Sequence, residues 1–314
     1  MRHLVGPRLS SLQSSTSYLP FLHLLPALEN LKLNTSAASA AEEHITILDL
    51  GPLAAVATLR ELTIEGGHYH FEYLDQLTQL HALELIDLGP PADETISRLG
   101  LPTSLTRLVL ESCDWDFAGA LGPMPAWARP SLQVFQGRLL SLTLDPPFVG
   151  IFDDAPSQLS GLAGLQQLTH LKLGCVMGMS VDGRFALSSL QSLQLETFDW
   201  PAGQHPSWDL TSCPSLTSIS LVYREWEHGH DSMRVLDLRG ITGCLAATLD
   251  LELQVKSDMR AIASFSAWVL KGVHISAFCP LRNWRMVQSV HDLIGALAGH
   301  LLIPNVVVNN ERLG

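Results

Sequence analysis

The chain has 314 residues, of which 46% are hydrophobic and 16% are charged, and its formal net charge at pH 7 is -12. This composition can bury a large core and excludes a disordered chain, because disordered chains combine low hydrophobicity with high charge. The acidic balance argues against nucleic acid as the main partner, since phosphate binding needs a basic surface.

The N-terminal segment, residues 1–27, is interpreted as a lead-in to the rest of the chain. Residues 1–28 contain no acidic residue, and they include Arg2, Arg8 and five serines. This composition is typical of an organelle transit peptide, and equally of an incomplete cap at the start of a scaffold. Both interpretations stay open.

The cysteines and the apolar runs indicate the compartment. The five cysteines lie far apart and form no C-x-x-C motif, which favours free thiols in a reducing, intracellular compartment, above all the cytoplasm. The longest apolar run, Leu293 to Ile303, is interrupted by His300 and is shorter than the ~20 residues of a membrane-spanning helix. No membrane association is expected.

The pattern L-x-x-L-x-L recurs along the chain. Its central residues follow one another at intervals of 21 to 34 positions. The good copies are centred on Leu31, Leu62, Leu83, Leu108, Leu142, Leu171, Leu193 and Ile219, and weaker ones lie near residues 249, 273 and 306. In the final L-x-L, leucines alternate with polar residues, as in a strand with one buried face. One such strand cannot bury its own face, so the copies should stack into a parallel sheet.

The repeat resembles the leucine-rich repeat family, and the resemblance covers about residues 25 to 310. It implies an α/β solenoid over residues 28–314: a curved parallel sheet with one short strand per repeat, and mixed loops and short helices on the convex side. The family's Asn, nine residues into each repeat, is absent; those positions include Gly67, Leu88 and Cys113. We therefore expect irregular turns that find other backbone partners.

The segments between repeats differ from one another. Two of them carry an extra L-D-L, at Leu48–Leu50 and Leu236–Leu238, and these are predicted to form short strands. Apolar residues at helical spacing predict helices over residues 258–269 and 286–302.

Aromatic residues recur five positions after the last strand residue of a repeat. The resemblance places a buried apolar side chain at this position, so we expect these residues to belong to the structural core, although a ligand pocket is the alternative. They are Tyr69, Trp115, Trp200 and Trp226.

Acidic residues recur one position after the last leucine of the strand, at Glu65, Glu111, Asp145 and Glu196. Alternation should place these side chains on the solvent side of the sheet, which is the concave face of the solenoid. We interpret them as a negative stripe for a partner with a basic patch, with an ordinary solvated surface as the alternative. Ile86 and Val222 occupy equivalent positions and would supply apolar contacts.

Candidate chemistry is sparse in this sequence. The pairs His68–His70 and His228–His230 each supply too few ligands for a structural zinc site, and their repeats are too far apart to combine. The motifs of serine hydrolases, nucleotide-binding loops and zinc proteases are absent from the sequence. We therefore expect no catalytic, cofactor-binding or metal-binding residue, and no cofactor.

The resemblance implies a non-enzymatic, protein-binding scaffold that uses the concave face, with a protein partner rather than nucleic acid or membrane. Cytoskeletal or ciliary association is among the roles that the family implies. The alternative is a recognition fragment of a longer signalling, ubiquitin-ligase-adaptor or enzyme chain. The sequence does not determine the oligomeric state.

Overall fold

The structure is a computed structural model that describes the chain in separate ranges. These are residues 10–14, 19, 22, 24–34, 47–66, 68–70, 74–88, 101–111, 137–145, 162, 164–174, 187–198, 208–224, 234–237, 241–242, 248–254, 259–262, 272–278 and 306–311. The chain divides into two compact units, Met1–Pro147 and Phe148–Gly314. Each unit is described by itself.

The first unit contains a parallel sheet whose strands follow one another in chain order. The strands of this unit are β1 (Ser11–Ser14), β2 (Asn30–Asn34), β3 (Ile47–Asp49), β4 (Glu61–Glu65), β5 (His68–His70), β6 (Ala82–Ile86), β7 (Arg107–Glu111) and β8 (Ser141–Asp145). The sheet has the order β1-β2-β4-β6-β7-β8. Leu31 lies opposite Leu62, and Leu62 lies opposite Leu83, so the predicted parallel stacking of repeats is confirmed. The sheet begins with β1, ahead of the first good repeat.

The second unit repeats this arrangement. Its strands are β9 (His170–Leu173), β10 (Ser192–Phe198), β11 (Trp208–Asp209), β12 (Ser218–Arg224), β13 (Arg234–Asp237), β14 (Ile241–Thr242), β15 (Thr248–Gln254), β16 (Met259–Ile262), β17 (Gly272–Phe278) and β18 (Val306–Glu311). The main sheet has the order β9-β10-β12-β15-β17-β18. The weaker repeats also pair in parallel, with Leu249 opposite Val273 and Val273 opposite Val306.

The leucines of most L-x-L triplets form the core of the described repeats, although Leu110 of β7 and Leu144 of β8 are partly exposed. In β2, Leu31 and Leu33 are buried while Lys32 between them is partly exposed, and β4 and β6 show the same alternation. Each fully buried leucine stabilises the fold by roughly 1.5–3 kcal/mol relative to an exposed one. The period of two in the sequence therefore corresponds to one buried face and one polar face of the sheet.

A 3₁₀-type turn precedes several strands of the main sheets, and it extends the leucine pattern towards the N-terminus of each repeat. Leu74, Leu77 and Leu80 are all buried, and the N–H groups of Leu77 and Leu80 donate to the carbonyls three residues earlier at 3.1 and 2.9 Å. Residues three apart lie on the same side of a 3₁₀ turn, so this spacing buries one apolar row. In the second unit Cys213 takes a leucine position in such a turn and is buried.

At the start of several main-sheet strands, two successive N–H groups donate to one carbonyl of the preceding repeat. The N–H groups of Arg60 and Glu61 both donate to the carbonyl of Glu29, at 2.8 and 2.9 Å. The N–H groups of His81 and Ala82 repeat the pattern on the carbonyl of Arg60, at 2.7 and 3.1 Å. Because the same bond recurs from repeat to repeat, it fixes the register at the beginning of the sheet.

Hydroxyl groups supply further bonds between repeats. The hydroxyl of Thr58 donates to the carbonyl of Leu28 at 2.8 Å, and that of Ser104 donates to the carbonyl of Leu80 at 2.6 Å. In the second unit the hydroxyl of Ser215 bonds to the preceding repeat at 2.8 Å. These bonds join the turns that precede neighbouring strands, and the expected partners at the missing asparagine positions stay a prediction.

Left-handed residues end two strands at the same repeat position. Gly66 (φ 73°) and Asp87 (φ 54°) each lie two residues after the last buried residue of the strand. Their N–H groups donate to the carbonyls of Ile86 and Glu111 on the next strand, each at 2.9 Å. Glycine adopts this conformation without steric cost, and aspartate tolerates it better than most residues do.

Smaller two-stranded parallel sheets accompany the main ones. The predicted L-D-L strands are confirmed as β3, which pairs with β5, and β13, which pairs with β16. The helix predicted over residues 258–269 is wrong for Met259–Ile262, which forms β16. This short apolar segment has a strand partner beside it, and pairing outweighs a weak helical periodicity. The helix predicted over residues 286–302 lies outside the described residues. Within the described ranges, no helix is long and apolar enough to cross a bilayer.

Candidate functional site

The candidate site is the polar face of the sheet, which we define as the side opposite the buried leucines. In the first unit, the fifth residues of five neighbouring strands lie in register across this face. In strand order, they are Asn34, Glu65, Ile86, Glu111 and Asp145. Neighbouring strands are ~4.8 Å apart, so this row presents its members at a regular spacing. Glu65, Ile86, Glu111 and Asp145, all candidate partner-binding residues, therefore occupy one row.

Salt bridges cross this face from strand to strand. The Lys32 Nζ atom on β2 lies 2.8 Å from Oε2 of Glu65 on β4. The Arg107 guanidinium on β7 lies 2.7 Å from Oε1 of Glu84 on β6. The face therefore carries two cross-strand ion pairs together with a surplus of acids, rather than an unbroken negative stripe.

The Glu84 carboxylate is engaged through both of its oxygens. Oε1 accepts from Arg107, and Oε2 accepts a 3.2 Å hydrogen bond from the hydroxyl of Thr63. Thr63 lies directly opposite Glu84 on β4. These contacts link three neighbouring strands and hold this carboxylate in one position on the face.

In the second unit the two candidate residues are buried. Glu196 and Val222 lie opposite each other on β10 and β12, and each is only 4% exposed. The expectation that they face open solvent is therefore wrong. Alternation determines which face of a sheet a side chain occupies, but it does not determine whether other parts of the chain cover that face.

A salt bridge accompanies the buried carboxylate. The Lys172 Nζ atom on β9 lies 3.4 Å from Oε1 of Glu196, and the side chain of this lysine is 24% exposed. A buried carboxylate is costly unless a charge partner compensates it. Lys172 therefore stabilises the folded unit, whereas the salt bridges of the first unit join more exposed partners.

The three salt bridges between described residues share one register rule. The residue opposite Lys32 is Thr63, and the acid lies two residues further along that strand, at Glu65. Arg107 lies opposite Ala82 and pairs with Glu84. Lys172 lies opposite Gln194 and pairs with Glu196. Long basic side chains thus reach diagonally across the face, a distance that such side chains span easily.

Lys32 and Thr63 lie on this face, although neither is a predicted site residue. The signal was present, because both occupy the middle position of an L-x-L or L-x-I triplet. The alternation alone placed them on the polar face, but the diagonal pairing depends on the register between strands. That register is a tertiary feature.

The aromatic core positions are only partly described. Tyr69 lies in β5, opposite Leu48 of β3. Trp115, Trp200 and Trp226 lie outside the described residues. The burial of all four therefore stays a prediction.

The histidine pairs are also only partly described. His68 and His70 lie in β5, and His228 and His230 lie outside the described residues. Among the residues that the structure describes, no group of three His, Cys, Asp or Glu residues is placed to hold a metal ion. The expectation that these histidines bind no metal stays a prediction.

Comparison with known proteins gives little beyond this geometry. No protein-family model matches the chain, and no curated protein matches it in sequence. A solved structure that is similar to the chain is that of an internalin from Listeria monocytogenes. The TM-score is 0.44 at 15% identity, and the match covers 93% of this chain and 78% of the internalin. That similarity is too low to carry an argument about function or fold. The parallel register and the leucine spacing themselves give each unit the leucine-rich repeat fold.

Proposed function

We propose that the chain is a non-enzymatic, protein-binding scaffold whose contact surface is the polar face of its sheet. The observation that carries this proposal is the register of the first unit, which aligns Glu65, Ile86 and Glu111 in one row. Side chains held by neighbouring strands keep a fixed spacing, so a partner can meet several of them at once with little loss of side-chain entropy.

The partner is proposed to carry a basic patch. On β2, β4, β6 and β7 the polar face bears four acids and two bases. The acids are Glu61, Glu65, Glu84 and Glu111, and the bases are Lys32 and Arg107. The formal net charge of -12 adds to the same field. An acidic surplus spread over several strands attracts and orients a basic surface.

The apolar part of the contact is proposed to centre on Ile86. This residue is half-buried and lies between Glu65 and Glu111 in the row. Val222 and Glu196 are buried and contribute less directly. The first unit is therefore the better candidate for the primary contact.

Site-specific photocrosslinking tests this proposal. A benzophenone amino acid at position 86 should capture a partner from cell extract, and the same group at the exposed turn residue Thr58 should not. Replacing Glu65 and Glu111 by lysine should remove the crosslink at position 86. Replacing Glu29 and Asp75, two exposed acids that lie outside the strands, by lysine changes the net charge equally and should leave the crosslink in place.

Two kinds of result would contradict the proposal. Capture through position 58, or capture through position 86 that survives the double charge reversal, would contradict the proposed contact surface. An acidic captured protein would contradict the proposed charge of the partner.

A further inference from the structure

Among the described residues of the first unit, two salt bridges join exposed bases to the acids of the proposed contact face. The side chain of Lys32 is 43% exposed and that of Arg107 is 56% exposed, while their partners Glu65 and Glu84 are 34% and 22% exposed. Both bases lie on the surface that a partner would cover. Their charged ends already occupy the positions that an incoming lysine or arginine would take.

We propose that Lys32 and Arg107 are built-in counter-charges that set the affinity and selectivity of the face for a basic partner. This inference rests on the proposed function. A basic side chain of the partner has to displace these two residues from the carboxylates, or share the carboxylates with them. The face therefore disfavours weakly basic proteins by a small factor, since such proteins offer few positive charges to replace the internal pairs.

The exposure of the pairs makes such an exchange feasible. Ion pairs between exposed side chains contribute little to stability, since water and salt screen them. Opening the Lys32–Glu65 pair therefore costs the fold little. The Lys172–Glu196 pair of the second unit differs, because its carboxylate is buried and its opening would leave a buried charge uncompensated. Only the pairs of the first unit suit an exchange.

The geometry also indicates the form of the basic segment. In each pair the base is level with the residue two positions before its acid. The side chains of Lys32 and Arg107 therefore reach the carboxylates along the strand direction. A partner segment in extended conformation places alternate side chains on one face. Arginines at alternate positions would therefore meet successive rows.

A fluorescein-labelled peptide of alternating arginine and serine provides the probe. Its affinity is measured by fluorescence anisotropy for the full chain and for the variants Lys32→Gln and Arg107→Gln. Each variant should bind about two- to five-fold more tightly, because an internal competitor for the carboxylates is gone.

Matched variants separate this effect from net charge. Arg60→Gln removes one positive charge from an exposed residue that takes part in none of the three salt bridges, and its affinity should change by less than about 1.5-fold. Lys32→Arg keeps the charge and should bind as the unchanged chain does. Circular dichroism of each variant checks that it is folded.

The possible results are distinct. If Lys32→Gln and Arg107→Gln bind no more tightly than Arg60→Gln, or bind more weakly, the counter-charge inference is overturned. If in that case binding is still lost on charge reversal of Glu65 and Glu111, the proposed function stands without it. If the unchanged chain does not bind the peptide, both proposals fail.

Discussion

Glu196 shows at the scale of one residue how the same repeat position acquires different environments. Glu65 follows Ile64 and Glu196 follows Leu195, each the last buried aliphatic residue before it, and both acids pair diagonally with a lysine. Glu65 remains partly exposed, and Glu196 is 4% exposed. Charge reversal is therefore an acceptable probe of binding at position 65 but not at position 196.

We expect Glu196→Lys to destabilise the protein by about 3–5 kcal/mol, because it would place two ammonium groups together in a largely buried site. The swapped variant, Lys172→Glu with Glu196→Lys, should recover much of the loss. Urea denaturation of the single and double variants gives the coupling free energy. Equal stability of the single and swapped variants would show that the pair does not matter.

Asp87 is a second residue whose backbone can be tested. It is exposed and has a positive φ, so side-chain packing contributes little at this position. Asp87→Val should cost about 1–2 kcal/mol in unfolding free energy, because a branched side chain clashes in the left-handed conformation. Asp87→Gly should be within about 0.5 kcal/mol of the unchanged chain, since relief of strain offsets the greater freedom of the unfolded chain. Thermal unfolding that ranks valine above glycine would contradict this account.

At the scale of the element, each repeat combines two apolar periods. Three-residue spacing buries one side of the 3₁₀-type turn, and two-residue spacing buries one face of the strand. The run Leu74, Leu77, Leu80, Leu83 and Leu85 is buried throughout. Hydroxyl and backbone donors then join each repeat to its neighbour, so an element is stable only beside the preceding one.

Ser104→Ala tests this coupling between elements. The change removes the bond to the carbonyl of Leu80 and should cost about 0.5–1.5 kcal/mol, the usual contribution of one hydrogen bond. Hydrogen exchange should increase mainly in β6 and β7, because a repeat array propagates damage to neighbours. A uniform increase that extends equally to β10 and β12 would indicate that stability is not local.

At the scale of the whole molecule, the negative charge of the chain is the property that bears on its proposed function. The formal net charge of -12 and the acid surplus on the polar face both favour a basic partner. Such attraction acts over distance and affects mainly the rate of encounter. It contributes less to the lifetime of the complex, which depends on close contacts such as those proposed at Ile86.

Binding of the partner or of the arginine–serine peptide should therefore weaken as salt increases, mainly through slower association. The Debye length falls from about 10 Å at 0.1 M salt to about 3 Å at 1 M, which screens the row of carboxylates. Surface plasmon resonance at several salt concentrations separates the two rate constants. A dissociation rate that carries the whole salt effect would show that steering is unimportant.

The sequence by itself determined the repeat, the parallel strands and the polar face, because a period of two leaves only one way to bury the leucines. It also indicated the L-D-L strands and the row that contains Glu65 and Glu111. Only the tertiary structure decided which acids are exposed and which, like Glu196, are buried. It also decided which bases pair with the acids, as Lys32 does. Those outcomes depend on the register between strands, which brings together residues from distant parts of the chain. A local sequence pattern therefore cannot predict them.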